Sequence, residues 1–522
     1  MSILTPSIPD SDQLHRDALT VLQPGFEGST PPAWVHRHIA AGLGSVALFG
    51  RNVTDQAQLA ALTAELRREN PDLLIAIDEE GGDVTRLEVG SGSSWPGNLA
   101  LGAVDDPALT RDVARELGRA LAECGINFNW APAADVNSNP GNPVIGVRSF
   151  GADPQLCARH TAAWVAGLQS AGVAACAKHF PGHGDTNVDS HHGLPLIDVA
   201  EELVRARDLP PFKAAVEAGA KALMTAHIMI PALDPDYPAT LSKAVLGGLL
   251  RAPESEGGLG YQGLIVTDAI EMGAIADRYG IAEGTVLALA AGADAICVGG
   301  GLCDEETVLR LRDAIVAAVR EGRLSQERLA DAADRVRALG SWARQSRSKA
   351  AAEAAPIEPD LSIGLRAARW ALRVTADPAQ HFEPVTDRPF VASFSPESNI
   401  AVGDDTPWGV AGMLAERFPG TRTRGIGPDQ AGAEQLDALV AELLAEAAGR
   451  RLVLVVRDVH RHDWMSAALR LLLNARPDAL VVEMGVPQAE PVGALHIATH
   501  GAARACGLAA VEVLTGQPSV GR

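Results

Sequence analysis

The sequence predicts an α/β protein, a (β/α)8 barrel followed by a smaller α/β sandwich domain. Three observations predict it. Over the first 340 residues, short apolar runs alternate with amphipathic segments of helical period. That is the pattern of parallel strands covered by helices. The apolar runs number eight, the strand count of the barrel. The third to the seventh of them end on, or lead into, charged or titratable residues at their carboxyl ends, the face where such barrels place their chemistry. An open doubly wound sheet gives the same alternation, so closure is not read from the pattern alone.

Taken in order, the strand candidates are residues 21–26, 46–50, 73–78, 127–132, 174–180, 222–227, 264–268 and 294–299. Each is rich in Val, Ile, Leu or Ala, as a strand buried on both faces requires. Helical patterns lie at 56–68, 108–124, 155–171, 209–218, 243–250, 280–291 and 305–321. Composition changes near residue 340. Residues 341–359 read as a helix end running into an Ala-rich connector with Pro356, and 361–372 turn helical again. A second alternation begins near 388, with strands at 390–394, 451–456 and 479–483 and helices at 434–448 and 464–475. The expected division is therefore a barrel over 1–342, a linker and connecting helix over 343–387, and a C-terminal sandwich over 388–522. The last unit, at roughly 130 residues, has an ordinary domain size.

Bulk composition narrows the function classes. A chain of 522 residues exceeds one ordinary core. Its 47% hydrophobic and 21% charged residues are those of a soluble globular protein. Net charge is -21, from 44 basic and 65 acidic residues, a field that disfavours nucleic acid and anionic membranes as partners. Six cysteines, at 124, 157, 176, 297, 303 and 506, show no CxxC spacing, so neither a zinc site nor a disulfide framework is signalled. Cys176 and Cys297 sit inside apolar runs and read as small core residues. The N-terminus has no basic segment followed by an apolar one, and no apolar stretch reaches membrane-spanning length; a cytoplasmic protein is expected.

The densest chemistry lies in 178–191, Lys178-His-Phe-Pro-Gly-His-Gly-Asp-Thr-Asn-Val-Asp-Ser-His191. An apolar strand ends at Lys178 and His179, and Pro181 and Gly182 force a turn. Three His, two Asp and one Lys then fall within fourteen residues. Two chemistries fit. His179, His183, Asp185, Asp189 and His191 are possible metal ligands, although their spacing is not helical and no HExxH signature occurs. Alternatively, Asp189 and His191, two residues apart, form an acid–base pair in which the carboxylate orients the imidazole. The 264–268 run ends on Asp268, which serves as a nucleophile, a ligand-binding group or a helix cap. Paired with an acid–base group on the same face, the nucleophile is favoured. These are the parts of a two-step glycoside displacement with His replacing the second carboxyl group.

The stretch Lys178-His-Phe-Pro-Gly-His-Gly-Asp-Thr, with Asp189-Ser-His191 and Leu194-Pro195, resembles bacterial β-N-acetylhexosaminidases of glycoside hydrolase family 3. So do Ile77-Asp-Glu-Glu-Gly-Gly, Asn142-Pro-Val-Ile-Gly-Val-Arg-Ser-Phe-Gly, Ala239-Thr-Leu-Ser and the Asp268 segment, all in the family's order from about residue 15 to 340. The resemblance implies a (β/α)8 barrel, no metal and no cofactor. It makes Asp268 the nucleophile, His191 the acid–base and Asp189 its partner, with Asp78, Arg86, Arg148, Lys178 and His179 binding sugar. The implied substrate is a terminal, non-reducing β-linked N-acetylglucosamine of peptidoglycan fragments or chito-oligosaccharides, cleaved by a monomer or homodimer.

Three positions depart from the family pattern. Glu79 replaces a usual Gln, Ala269 replaces a usual second Asp, and Asp83 stands where a basic residue is expected. Some relatives with a His acid–base pass the sugar to phosphate, so a phosphorylase is the alternative. A metal-dependent hydrolase and a non-catalytic sugar-binding protein are the rival classes. In the C-terminal part the resemblance is weak, and Arg457-Asp-Val-His-Arg-His-Asp463 reads as a solvated loop after a strand.

Overall fold

The computed structural model describes residues 11–190, 193–353, 362–397, 401–403, 405–432 and 435–517. All eight strand candidates of the first 340 residues form strands at their expected places. They are β1 (Leu22–Pro24), β2 (Ser45–Leu48), β3 (Leu74–Ile77), β4 (Phe128–Asn129), β5 (Ala174–Phe180), β6 (Ala222–Thr225), β7 (Leu264–Thr267) and β8 (Ile296–Val298). Strands β2 to β7 pair in sequence order as one parallel half-barrel sheet, with Ala76 opposite Phe128 and Cys176 opposite Ala222. Strands β1 and β8 form a parallel pair. That pair meets β7 through a bridge between Val266 and Ala295, and β2 through the Ser45 hydroxyl donating to the Leu22 carbonyl at 3.3 Å.

Alternation along the strands sorts the core. Leu74, Ala76, Phe128, Ala174, Cys176, Ala222, Met224 and Val266 pack together inside the curved sheet. Ile75, Ile77, Ala175 and Ile265 face outward into the helix layer. Aspartates start several of the covering helices. Asp55, Asp106, Asp153 and Asp304 accept hydrogen bonds from the first-turn backbone, and Pro107 and Pro154 occupy the position after the cap. Each cap contributes about 1 kcal/mol and fixes where its helix leaves the sheet.

The second sheet has six strands. They are β9 (Arg373–Ala376), β10 (Phe390–Phe394), β11 (Arg422–Ile426), β12 (Leu452–Val456), β13 (Leu480–Glu483) and β14 (Leu495–Ala498), in the order β11-β10-β12-β13-β14-β9. All pair in parallel except β9, which runs antiparallel to β14. The sequence signals β10, β12 and β13 and misses the other three. β9 and β11 are edge strands with mostly exposed side chains, so neither needs an apolar run. β9 also lies within 343–387, the segment expected as linker and connecting helix.

Around that segment, helix Gln326–Glu353 packs on the half-barrel through Val336, Leu339 and Ala343, and helix Ile363–Ala371 joins the two cores. Ala367 and Ala371 belong to the core of the first sheet, and Ala368 to that of the second. Five of the six cysteines are buried, Cys176 and Cys297 inside the curved sheet. Among the described residues, no helix is long and apolar enough to cross a membrane.

Candidate active site

A cavity of about 370 Å³ opens at the carboxyl ends of β2 to β8. The sugar-binding candidates Asp78, Arg86, Arg148, Lys178 and His179 line it, and so does Asp268. Ser190, the residue between Asp189 and His191, lines it too, and its carbonyl accepts from the Ala274 amide in the segment after Asp268, at 3.2 Å. The loop after β5 and the end of β7 therefore meet at one place. Asp189 is half-buried, and its carbonyl accepts from the Gly193 amide at 3.2 Å. His191 lies outside the described residues.

Three buried charges, Glu80, Arg148 and Lys178, form the floor with the half-buried Asp78. Lys178 Nζ donates to Asp78 Oδ1 at 2.5 Å and to Glu80 Oε1 at 2.8 Å. Arg148 forks onto Glu80, with Nη2 to Oε1 at 2.6 Å and Nε to Oε2 at 3.0 Å. Burial opposes the Lys178 ammonium, but Asp78 and Glu80 hold its pKa above the ordinary value. Burial likewise opposes the Glu80 carboxylate, yet Arg148 and Lys178 carry it well below the usual range. Glu80, Arg148 and Lys178 thus sustain one another's charge in a place that would neutralise any one alone. Arg86 adds a third cation, 3.9 Å from Asp78, and donates to the Ala401 carbonyl at 2.6 Å.

His179 is aimed by Asp135, which is fully buried. Its Nδ1 donates to Asp135 Oδ2 at 2.8 Å, which leaves Nε2 on the Arg148 side at 3.5 Å. Burial raises the Asp135 carboxyl, and the His179 ring more than offsets it, so the pKa falls below the ordinary value. Asp135 Oδ1 also accepts from the His183 amide at 2.7 Å, fixing the turn at Pro181 and Gly182.

Among the described residues, the side chains of three potential metal ligands of this loop, His179, His183 and Asp185, serve separate partners. His183 bridges the Thr186 and Ser190 hydroxyls at 2.8 and 3.2 Å, and burial, then the His179 charge, push its pKa down to about 4. Asp185 pairs with Arg207 at 2.7 Å. At β7, the Asp268 carboxylate accepts from the Ala269 amide at 2.8 Å. The Ala269 carbonyl is held by His227 Nε2 at 2.9 Å, so the end of β6 steadies the segment after Asp268.

These are the features of a polyol-binding pocket with a carboxylate at its edge, and the comparisons with known proteins agree. Residues 32–339 match the model of the glycosyl hydrolase family 3 N terminal domain. The chain belongs to glycosyl hydrolase family 3. It is 36% identical over 328 residues to a family relative called β-hexosaminidase A from Pseudoalteromonas piscicida; the match spans 58% of this chain and 54% of that relative. Among solved structures, it is similar to a family 3 β-N-acetylglucosaminidase from Paenibacillus sp. str. FPU-7, at 35% identity and TM-score 0.83 over 98% of each chain. A fungal multi-domain family 3 β-N-acetylglucosaminidase superposes at TM-score 0.82 and 26% identity, covering 96% of this chain and 59% of its own.

For a family 3 chain, sequence reasoning missed one wall of the cavity. Ala401, Val402, Gly403 and Asp405, from the loop after β10, line it together with the half-barrel residues. No local signal marks them, because they come from a loop without periodicity. The Arg457–Asp463 segment is also corrected. Arg457 pairs with the buried Asp83 of the barrel side, and His460 Nε2 donates to the Pro140 carbonyl at 2.9 Å. The segment is a seam between the two sheets and not a solvated loop. Asp83, the odd acid in the family pattern, is its other half; its second oxygen accepts from the Ala502 amide at 2.7 Å.

Proposed function

We propose that the chain is a retaining exo-glycosidase that removes terminal, non-reducing β-linked N-acetylglucosamine. In this reading β1 to β8 act as a closed (β/α)8 barrel over 1–342. The segment 343–387 is the connection, and 388–522 is the sandwich that covers the site. The single observation that carries the reading is the shared cavity of Asp268, Ser190 and the charged floor. The floor offers ionised donors and acceptors to sugar hydroxyls, the strong class of hydrogen bond. Asp268 attacks the anomeric carbon as His191, oriented by Asp189, gives its proton to the leaving oxygen. The glycosyl-aspartate ester forms and the glycosidic bond breaks. His191 then takes a proton from water as the water oxygen displaces Asp268, restoring both groups with retention of configuration. The relatives' names, β-hexosaminidase and β-N-acetylglucosaminidase, support the acetamido sugar.

The test is turnover of an aryl β-N-acetylglucosaminide and its glucose analogue, each with and without phosphate, with the anomer of the product followed. Release from the acetamido substrate alone, with retained configuration and no phosphate requirement, is expected. An inverted product rejects the mechanism. Phosphate-dependent formation of a sugar 1-phosphate converts the assignment to a phosphorylase.

A further inference from the structure

The second sheet is wider than the helix that covers one of its faces. Val481 of β13, His496 of β14 and Thr375 of β9 stand opposite one another across the strands, so they share that face. Helix Asp463–Ala475 covers the β13 end of the row, where Val481 packs with Leu469 and Leu472. Beside the helix, over β14 and β9, lies a cavity of about 700 Å³, also lined by the 489–493 loop. That volume is within the usual range for a small-molecule site. Among the described residues, the cavity shares no lining residue with the catalytic one.

Two buried polar side chains line it. His496 is 4% exposed. Its Nδ1 accepts from the Val492 amide at 3.2 Å, so the ring proton sits on Nε2. That Nε2 is buried and has no hydrogen-bond partner among the described residues. A buried donor is costly to leave unmet, and this one belongs to a residue of the cavity wall. The second side chain is Glu483, whose Oε1 accepts from the Asp458 and Gly485 amides at 2.9 and 2.8 Å.

Neither group makes the cavity a site for ions. Burial lowers the His496 pKa, which keeps the ring neutral. Burial, then the Asp458 charge, push the Glu483 carboxyl up to about 7. An ion placed against such groups loses its hydration without a full counter-charge. A neutral acceptor meets the His496 donor and brings no charge with it. Leu469, Leu473 and Val492 add apolar wall, and the exposed Ser466, Asn474 and Thr375 add hydroxyl and amide groups toward solvent. The match is a neutral ligand with a carbonyl at one end, some apolar surface and several hydroxyls.

We propose that this cavity is a second, non-catalytic saccharide site, and that it takes a neutral N-acetylated sugar whose acetamido carbonyl accepts from His496 Nε2. The choice of sugar rests on the glycosidase reading, whereas a site for a neutral carbonyl ligand does not.

Histidine labelled with carbon-13 at Cε1 tests it by NMR. The chain has 14 histidines, and H496Q identifies the His496 signal by its loss. Titrating the full-length protein with N-acetylglucosamine shifts the His496 signal saturably, and titrating it with glucose, which has no carbonyl substituent, leaves the signal in place. L473W fills the cavity from helix Asp463–Ala475. It abolishes the shift and leaves turnover of the aryl β-N-acetylglucosaminide unchanged. A His496 signal that stays still throughout the N-acetylglucosamine titration means that solvent alone satisfies Nε2, and overturns the site. So does a signal that moves equally with glucose, or one that still moves in L473W. The two readings fail separately. A wild-type protein that shows the shift and cleaves no aryl glycoside overturns the glycosidase reading and leaves the site standing. Turnover with a silent His496 does the reverse.

Discussion

Two sheets turn the carboxyl ends of their parallel strands toward one seam, and they furnish it differently. The half-barrel side presents Asp78 and Glu80 just past β3 and Lys178 from within β5, cross-linked by bonds of 2.5 to 2.8 Å. The second sheet presents loop residues, Ala401 to Gly403 and Arg457 to His462, with the half-buried Arg457 paired to the buried Asp83. Groups fixed at strand ends are pre-positioned for chemistry, whereas loops set what fits around it. Mutations on the two sides should therefore fail in different ways: chemistry lost on the barrel side, fit and seam stability on the other.

The largest effect belongs to Asp268. Replacing it with Ala should cut kcat by roughly a thousandfold or more, at least about 4 kcal/mol of barrier, with the thermal midpoint nearly unchanged. Turnover close to wild type would remove Asp268 as nucleophile. Next comes the floor. Glu80→Ala leaves Lys178 and Arg148 buried without their shared anion, and should lower unfolding free energy by about 3–5 kcal/mol in urea titration. Glu80→Gln, which keeps the shape, should cost less. Equal losses in both would mean that packing and not charge holds the floor.

The barrel half of this contrast was legible in the sequence, for a physical reason. Strands buried on both faces must be apolar throughout, so each charged residue at their ends stands out. Asp78, Lys178, His179 and Asp268 were found that way. Arg86 and Arg148 sit in loops and came from motif resemblance instead. Neither Glu80 nor Asp135 carries a role that the sequence shows, because a carboxylate's partner cannot be read from its own position. Asp135 is 44 residues from the His179 it orients. The second wall was illegible because its residues combine only in three dimensions, Asp83 with an arginine 374 positions away. β9 and β11 are edge strands with no apolar run, and in β14 the run Leu495–Ala498 is interrupted by His496.

The seam itself supplies a smaller prediction. Asp83→Asn keeps an acceptor for the Ala502 amide and removes the anion opposite Arg457. A loss of about 2–3 kcal/mol in unfolding free energy is expected, from leaving Arg457 half-buried without its partner. The double change D83N with R457M should recover most of it, since neither charge then remains. Additive losses would show that the two residues act separately.

The smallest effect is a slope with pH, and Glu79 is its source. Burial pushes the Glu79 carboxyl up to about 7, although the Leu87 and Arg86 amides and the Thr85 hydroxyl all donate to its Oε2. Those bonds shape the loop that carries Arg86 over the substrate cavity. The pKa is raised in the folded state, so between its ordinary value near 4.5 and about 7 the folded chain holds a proton that the unfolded chain has released. Stability from this group is therefore full below pH 4.5, declines as pH rises to 7, and is flat above. The whole decline is roughly 3 kcal/mol, from 1.36 kcal/mol per pKa unit. Glu79→Gln restores the family's usual residue and cannot titrate. Its stability relative to wild type should rise by about 2 kcal/mol between pH 5 and pH 8 in denaturant titrations. A constant difference across that range would mean that Glu79 is ionised throughout, its three donors outweighing burial, and Arg86 would then be held by a full charge at every working pH.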